Sequence, residues 1–197
     1  MISAFHMANA LTYASLICGV GALATALQGD AAACGSLLAL AVVFDTFDGR
    51  FARYVRRRVG GEASIGAELD SLVDAVTFGI VPIACASVLF DGTSLLWWAS
   101  AFIYVACAVT RLGFYNVSIG ETPESAHDFV GLPTPVAALF WSSLFLLTPG
   151  AGLPSAVALA TGAAMIAPIR VRRPDVAGLA LFILWPVALI VVHVSRL

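Results

Sequence analysis

Residues 43–74 read VFDTFDGRFARYVRRRVGGEASIGAELDSLVD, and this stretch places four aspartates between two long apolar runs. Asp45 and Asp48 are three residues apart, and Asp70 and Asp74 are four residues apart. On a helix, either spacing puts both side chains on one face. Carboxylates close to a bilayer are costly and usually mark a functional site. The two pairs are therefore the first candidates for a site in this chain.

The composition indicates a chain that is built for lipid rather than for water. Of its 197 residues, 60% are hydrophobic and only 11% are charged, and the mean hydropathy is +0.96. Soluble domains are nearer half apolar and about a quarter charged. Since the polar residues are too few to cover a soluble domain of this length, the sequence predicts an integral membrane protein in contact with the lipid bilayer.

Long apolar runs predict helices that cross the hydrocarbon core, because a helix satisfies its own backbone hydrogen bonds there. We predict an all-α fold, a polytopic transmembrane helix bundle with six to seven spans, in which the first apolar run is retained as a span. A single domain over residues 1–197 is the simplest organisation. The predicted helices cover residues 8–28, 31–54, 66–90, 93–115, 132–148, 153–169 and 175–195.

The arginines orient the predicted bundle. The chain has ten arginines and no lysine. If the N-terminus is cytoplasmic, the predicted loops at 54–65, 116–131 and 170–174 face the cytoplasm, and all the arginines except Arg196 lie on that side, as the positive-inside rule requires. We therefore expect the carboxylates at the cytoplasmic boundary of the cell (inner) membrane. We assign the arginine clusters to topology and expect no nucleic-acid partner.

Other side chains that invite a functional reading are assigned to packing. The four cysteines lie in apolar runs without metal or redox spacing, so we expect buried thiols. His6, His127 and His193 are isolated and receive no role. Ser142 stands in an apolar run, where helix packing is the default interpretation.

Four carboxylates at one depth need a compensating charge. The second and third predicted helices are consecutive and antiparallel, so their acidic faces can meet. Carboxylate oxygens suit hard divalent cations such as Mg²⁺, Mn²⁺ or Ca²⁺, which would also bind a diphosphate. The sequence thus predicts a metal site built from Asp45, Asp48, Asp70 and Asp74. A non-enzymatic ion pathway through the bundle is an alternative, although a transport site is expected nearer the bilayer midplane.

The residues between the two pairs add a pattern that suits a nucleotide. Gly49 and Ala52 are small enough for a close approach, and Arg53 is placed to meet a phosphate. The order Asp-x-x-Asp-Gly-x-x-Ala-Arg, followed by Gly-x-x-x-Asp-x-x-x-Asp from Gly66, resembles the signature of the CDP-alcohol phosphotransferases. All eight fixed positions match. The stretch from Tyr54 to Ile65 is several residues longer than the family usually has.

The resemblance implies a site with assigned roles. It implies two divalent cations, Mg²⁺ or Mn²⁺, bound by the four aspartates, and Asp74 as the base that deprotonates the acceptor hydroxyl. It also implies a CDP-diacylglycerol substrate, release of CMP, and a homodimer. The residues expected to bind the CDP moiety are Asp45, Gly49, Ala52, Arg53 and Gly66.

Flanking segments are similar to phosphatidylserine synthases of the membrane-embedded type, which implies L-serine as the acceptor. These segments include residues 9–12, 70–82 and 129–135. In a further one, Arg111 is the candidate for the acceptor carboxylate and Asn116 a second acceptor-binding candidate, while Phe114 stands where the subfamily has another arginine. Inositol phosphate or glycerol phosphate remains the alternative acceptor, because a basic patch near the site could receive its phosphate.

Overall fold

A computed structural model describes residues 9–59, 63–119, 128–147, 152–172 and 176–197. Within these residues the chain forms eight α-helices and one small two-stranded ribbon. The helices are α1 (Ala10–Leu27), α2 (Ala31–Val59), α3 (Ala63–Asp74), α4 (Val81–Leu89), α5 (Leu95–Ile119), α6 (Thr134–Leu144), α7 (Gly152–Ile166) and α8 (Val176–Val194).

The helices are those of an integral membrane protein, as the composition predicts. Within the described residues, four stretches are long and apolar enough to cross a membrane, namely Ala10–Leu27, Ala31–Asp48, Gly66–Leu89 and Leu95–Val117. Shorter apolar helices follow at Thr134–Leu144, Gly152–Ile166 and Ile183–Val194. Large apolar side chains such as Leu95 (86% exposed) and Phe102 (74% exposed) point away from the protein. The predicted all-helical architecture is confirmed apart from the ribbon.

The helix ends correct two of the predicted loops. The loop predicted at 54–65 is wrong, because α2 continues to Val59 and α3 begins at Ala63. No glycine or proline interrupts the arginine-rich stretch before residue 60, so the helix can propagate through it. The loop predicted at 116–131 is also too long, since α5 ends at Ile119.

A short antiparallel ribbon, which the sequence did not predict, links the regions before α6 and after α7. Strand β1 (Asp128–Val130) pairs with β2 (Arg170–Arg172). Gly131 follows β1 with a φ of +74°, and a β-carbon there would overlap the backbone of Met165. Strands of three residues are too short to show an alternating pattern, which explains why the sequence did not reveal them.

The turn between α1 and α2 sets how these two helices face each other. Gly29 takes a φ of +78° in this turn, a conformation that glycine adopts without strain. The next residue, Asp30, begins α2 by accepting a hydrogen bond from the backbone N–H of Ala33 at its Oδ1 (2.8 Å), which is the standard role of an N-cap aspartate. The result is a tight antiparallel hairpin. Helix α2 also packs against α6 and α8, so it is the central helix of the bundle.

A π-helical segment, Ala75–Ile80, joins α3 to α4 without a break. Pro82 has no N–H, so the carbonyl of Phe78 lacks the donor that an α-helix would supply. The hydroxyl of Tyr104 on α5 donates to that carbonyl instead (2.8 Å). Segments of this kind occur often at functional sites, and this one begins directly after Asp74.

A buried polar contact fixes the last helix to the bundle. The Ser142 hydroxyl on α6 donates to the carbonyl oxygen of Gly35 on α2 (2.9 Å). The carbonyl oxygen of Ser142 accepts from Nε2 of His193 on α8 (2.9 Å). His193 and Ser142 are both fully buried. The packing role expected for Ser142 is confirmed, and His193, for which no role was predicted, shares it.

We expect Gly35→Ala to destabilise the protein by about 1–3 kcal/mol, the usual cost of overpacking a core. A β-carbon at residue 35 would overlap the imidazole ring of His193. Thermal unfolding in detergent can be followed through the four cysteines, which are free and buried as predicted and become reactive on unfolding. Gly113→Ala is the matched control, because a β-carbon there meets nothing within 4 Å. Equal midpoints for the two variants would contradict this account of the contact.

Candidate metal centre

The four aspartates converge where α2 and α3 face each other. One carboxylate oxygen from each of Asp45, Asp70 and Asp74 lies within 4.8 Å of the others. The carboxyl group of Asp45 is within hydrogen-bonding distance of Asp74, and that of Asp48 is within the same distance of Asp70. The first member of one pair thus meets the last member of the other, as antiparallel helices require.

The surroundings of these carboxylates fit a divalent cation. Asp48 is only 8% exposed, and the other three aspartates are partly buried. Oδ1 of Asp70 is buried and has no hydrogen-bond partner. A buried polar atom without a partner is costly, and a bound cation would satisfy it. Carboxylate oxygens are ligands that Mg²⁺ and Mn²⁺ favour.

The remaining motif residues share the faces that carry the aspartates. On α2, residues 45, 48, 49, 52 and 53 follow the i, i+3, i+4, i+7, i+8 spacing of a single helix face. Gly66 and the two aspartates of α3 follow a spacing of four residues. The side chains of Ala52 and Arg53 lie outside the described part of the structure, so their predicted contacts with CDP stay predictions, as do those of Gly49 and Gly66.

Helix α1 contributes a residue for which no role was predicted. The hydroxyl of Thr12 donates a hydrogen bond to Oδ2 of Asp48 (3.2 Å), and Thr12 is 5% exposed. Its neighbour Asn9 is also buried. The only signal in the sequence was that residues 9–12 form one of the flanking segments of the resemblance.

Helix α5 brings both acceptor-binding candidates next to α3. Arg111 is close enough to Asp74 for a charge interaction, and its Nε is buried without a hydrogen-bond partner. Oδ1 of Asn116 accepts a hydrogen bond from the hydroxyl of Ser71 (2.9 Å). Ser71 lies next to Asp70 in the chain and was not predicted. The structure therefore places a cationic group and an amide beside the aspartate cluster.

Comparison with known proteins gives a consistent result. A family model described as CDP-alcohol phosphatidyltransferase matches residues 5–190. A CDP-diacylglycerol–serine O-phosphatidyltransferase of Mycobacterium tuberculosis (strain ATCC 25618 / H37Rv) is 37% identical over 145 residues, which is 71% of this chain and 48% of that protein. A protein of the same name from Methanocaldococcus jannaschii is 34% identical over 136 residues, 68% of this chain and 61% of that protein.

An archaetidylserine synthase of Methanothermobacter thermautotrophicus is also similar. It is 34% identical over 154 residues, which cover 76% of this chain and 62% of that protein. The chain spans about half the length of the mycobacterial relatives that it matches. The range that the family model matches, residues 5–190, contains α2 and α3, which carry the motif.

Proposed function

Because the chain belongs to the CDP-alcohol phosphatidyltransferase family, we propose that it transfers the phosphatidyl group of CDP-diacylglycerol to L-serine and releases CMP. The observation that carries this proposal is the cluster of Asp45, Asp70 and Asp74 within 4.8 Å, formed by the two halves of the motif. The relatives described above are named as serine phosphatidyltransferases or as an archaetidylserine synthase, which supports serine as the acceptor. The chemistry would reside in a single domain that comprises residues 1–197.

The proposed arrangement in the membrane has six to seven spans, with α3 and α4 acting as one. The N-terminus and the aspartates face the cytoplasm, and the membrane is the cell (inner) membrane. The arginines support this orientation. In the sequence, the run Arg56, Arg57 and Arg58 lies between the aspartates of α2 and those of α3. Arginine-rich segments favour the cytoplasmic side, where CDP-linked substrates and serine are available.

The cofactors of the proposed reaction are two divalent cations, Mg²⁺ or Mn²⁺, held by Asp45, Asp48, Asp70 and Asp74. Cations bound there would neutralise the diphosphate and stabilise the negative charge on the departing CMP. The face of α2 that continues from the aspartates through Gly49 and Ala52 would hold the CDP moiety. The protein is proposed to act as a homodimer, as the family resemblance implies.

The reaction itself is a displacement at phosphorus. Asp74 takes the proton of the serine hydroxyl as that oxygen attacks the β-phosphorus of CDP-diacylglycerol. A new oxygen–phosphorus bond forms, the bond between the β-phosphorus and the bridging oxygen breaks, and CMP leaves with the electron pair. Arg111 lies beside Asp74, so it would bind the serine carboxylate and hold the hydroxyl near the base. Asn116, oriented by Ser71, would provide a second contact to the acceptor.

The proposal is tested with purified protein, CDP-diacylglycerol, Mn²⁺ or Mg²⁺, and three acceptors supplied separately: L-serine, inositol phosphate and glycerol phosphate. Of the three acceptors, we expect only L-serine to give CMP, together with a serine-containing phospholipid. CMP release with inositol phosphate but not with serine would reject serine as the acceptor and support the same phosphatidyl transfer to inositol phosphate. Ion flux through vesicles in the absence of any CMP release would favour the ion pathway and reject the enzymatic proposal.

Arg111→Gln is expected to raise the KM for serine by roughly 10- to 100-fold, the range expected when a hydrogen bond to a charged group is lost. The KM for CDP-diacylglycerol should change little, because the guanidinium is assigned to the acceptor alone. Initial rates at varied serine and varied lipid separate the two constants. Arg196→Gln is the matched control, since the Arg196 side chain donates to the carbonyl oxygen of Leu146, away from the aspartates. A fall in kcat at an unchanged KM for serine would show that Arg111 does not bind the acceptor.

A further inference from the structure

Asp48 differs from the other three aspartates in its surroundings. It is the most buried of them, at 8% exposure, and it is not one of the three whose oxygens lie within 4.8 Å. Its carboxyl group lies between two partners, Asp70 on α3 and the Thr12 hydroxyl on α1. The orientation of the Asp48 carboxylate is thus set in part by α1, a helix that carries none of the four aspartates.

The hairpin geometry explains why Thr12 reaches this position. Thr12 and Asp48 lie on the two arms of the hairpin, at similar distances along the chain from the turn at Gly29. Antiparallel packing of α1 on α2 places them opposite each other, and both are buried in the interface. The hydrogen bond therefore joins two buried side chains within a helix–helix interface.

A hydroxyl is suited to orienting a carboxylate that must also bind a cation. It donates one hydrogen bond and carries no charge, so it fixes the group without neutralising it. An arginine or lysine in the same place would compete with the cation for the negative charge. Hydrogen bonds of this kind to metal-binding side chains typically contribute 10- to 100-fold to metal affinity or activity.

We infer that Thr12 is a positioning residue for the metal centre: its hydroxyl holds Oδ2 of Asp48 so that this carboxylate and Asp70 bind a divalent cation together. The inference rests on the proposed function, because it requires that the aspartates bind cations. It predicts a specific role for α1, which also packs against α2, α3 and α4. A threonine that served packing alone would be replaced without consequence by valine, which has nearly the same shape.

The test measures binding of Mn²⁺ alone to the purified full chain, by electron paramagnetic resonance of the free ion. Thr12→Val should weaken the binding of one cation by about 10- to 100-fold, and Thr12→Ser, which keeps the hydroxyl, should bind as the unchanged chain does. Thr25→Val is the matched control on the same helix. The Thr25 hydroxyl donates to the backbone of its own helix, at Gly21 and Ala22, so Mn²⁺ binding should not change.

The possible results separate this inference from the proposed function. Equal Mn²⁺ affinity in Thr12→Val and the unchanged chain would overturn the role of Thr12 and leave the metal centre intact. An equal loss in Thr12→Val and Thr12→Ser would also overturn it. Absence of Mn²⁺ binding in the unchanged chain would reject the metal centre itself. If Thr12→Val does not fold, Thr12→Ser and Thr12→Cys, which differ only in the donor atom, must differ in affinity for the inference to stand.

Discussion

Asp74→Asn is expected to lower serine-dependent turnover by about 10³-fold, within the range that general acid–base catalysis contributes. The asparagine amide has nearly the same size as the carboxylate, but it cannot accept the proton of the serine hydroxyl. Asp74 is placed for this role by its neighbours, since Asp45 and Asp70 lie within 4.8 Å of it and Arg111 lies beside it. Steady-state CMP release from CDP-diacylglycerol is the measurement.

The control for this variant is Asp30→Asn at the opposite end of α2. Asp30 caps that helix through the backbone N–H of Ala33, and asparagine is nearly as good an N-cap as aspartate. Its turnover should therefore be unchanged. Mn²⁺ and CDP binding should survive in part in Asp74→Asn, because three aspartates remain. Full activity in Asp74→Asn would remove this residue from its assigned role as the base.

Removal of divalent cations should abolish turnover and lower the thermal stability of the protein. Without a cation, the carboxylates of the cluster repel one another, and Oδ1 of Asp70 is buried without a partner. A ligand that binds only the folded state stabilises it by about 2.7 kcal/mol at a concentration of 100 times its Kd. Chelation followed by gel filtration, then assays of CMP release and unfolding, would measure both effects.

Readdition of Mg²⁺ or Mn²⁺ should restore both activity and stability, whereas NaCl at matched ionic strength should restore neither. This comparison separates cation binding from general screening of the acidic cluster. Undiminished CMP release after complete chelation would contradict the proposed cofactor requirement. A loss of activity that Mg²⁺ and Mn²⁺ both fail to reverse would contradict it as well.

Most of the helical architecture was predictable from the sequence, because lipid leaves few alternatives for long apolar runs. Helix geometry also predicted that the two pairs of aspartates face each other. Spacings of three and four residues put each pair on one helix face, and consecutive antiparallel helices bring Asp45 to Asp74 and Asp48 to Asp70. These contacts depend on local periodicity and on the consecutive, antiparallel order of α2 and α3, both of which follow from the sequence.

The features that the sequence missed depend on contacts between distant segments. Thr12 and Asp48 are separated by 36 residues, and no local pattern marks a threonine as the partner of a particular aspartate. The contact between Ser142 and His193 joins two helices 51 residues apart. In the π-helical segment, the carbonyl oxygen of Phe78 accepts a hydrogen bond from the hydroxyl of Tyr104 on another helix. In each case the deciding atom is supplied by tertiary packing.

The most direct test of the central claim is the number of Mn²⁺ ions bound per chain at saturation, measured by equilibrium binding on the unchanged protein and on Asp70→Asn. Asp70 belongs to the three-aspartate cluster and also contacts Asp48. We predict saturable binding of two ions to the unchanged chain, with tight binding lost in Asp70→Asn. An unchanged chain that binds no Mn²⁺ saturably, or an Asp70→Asn variant that binds both ions as tightly, would show that these carboxylates do not form a metal centre.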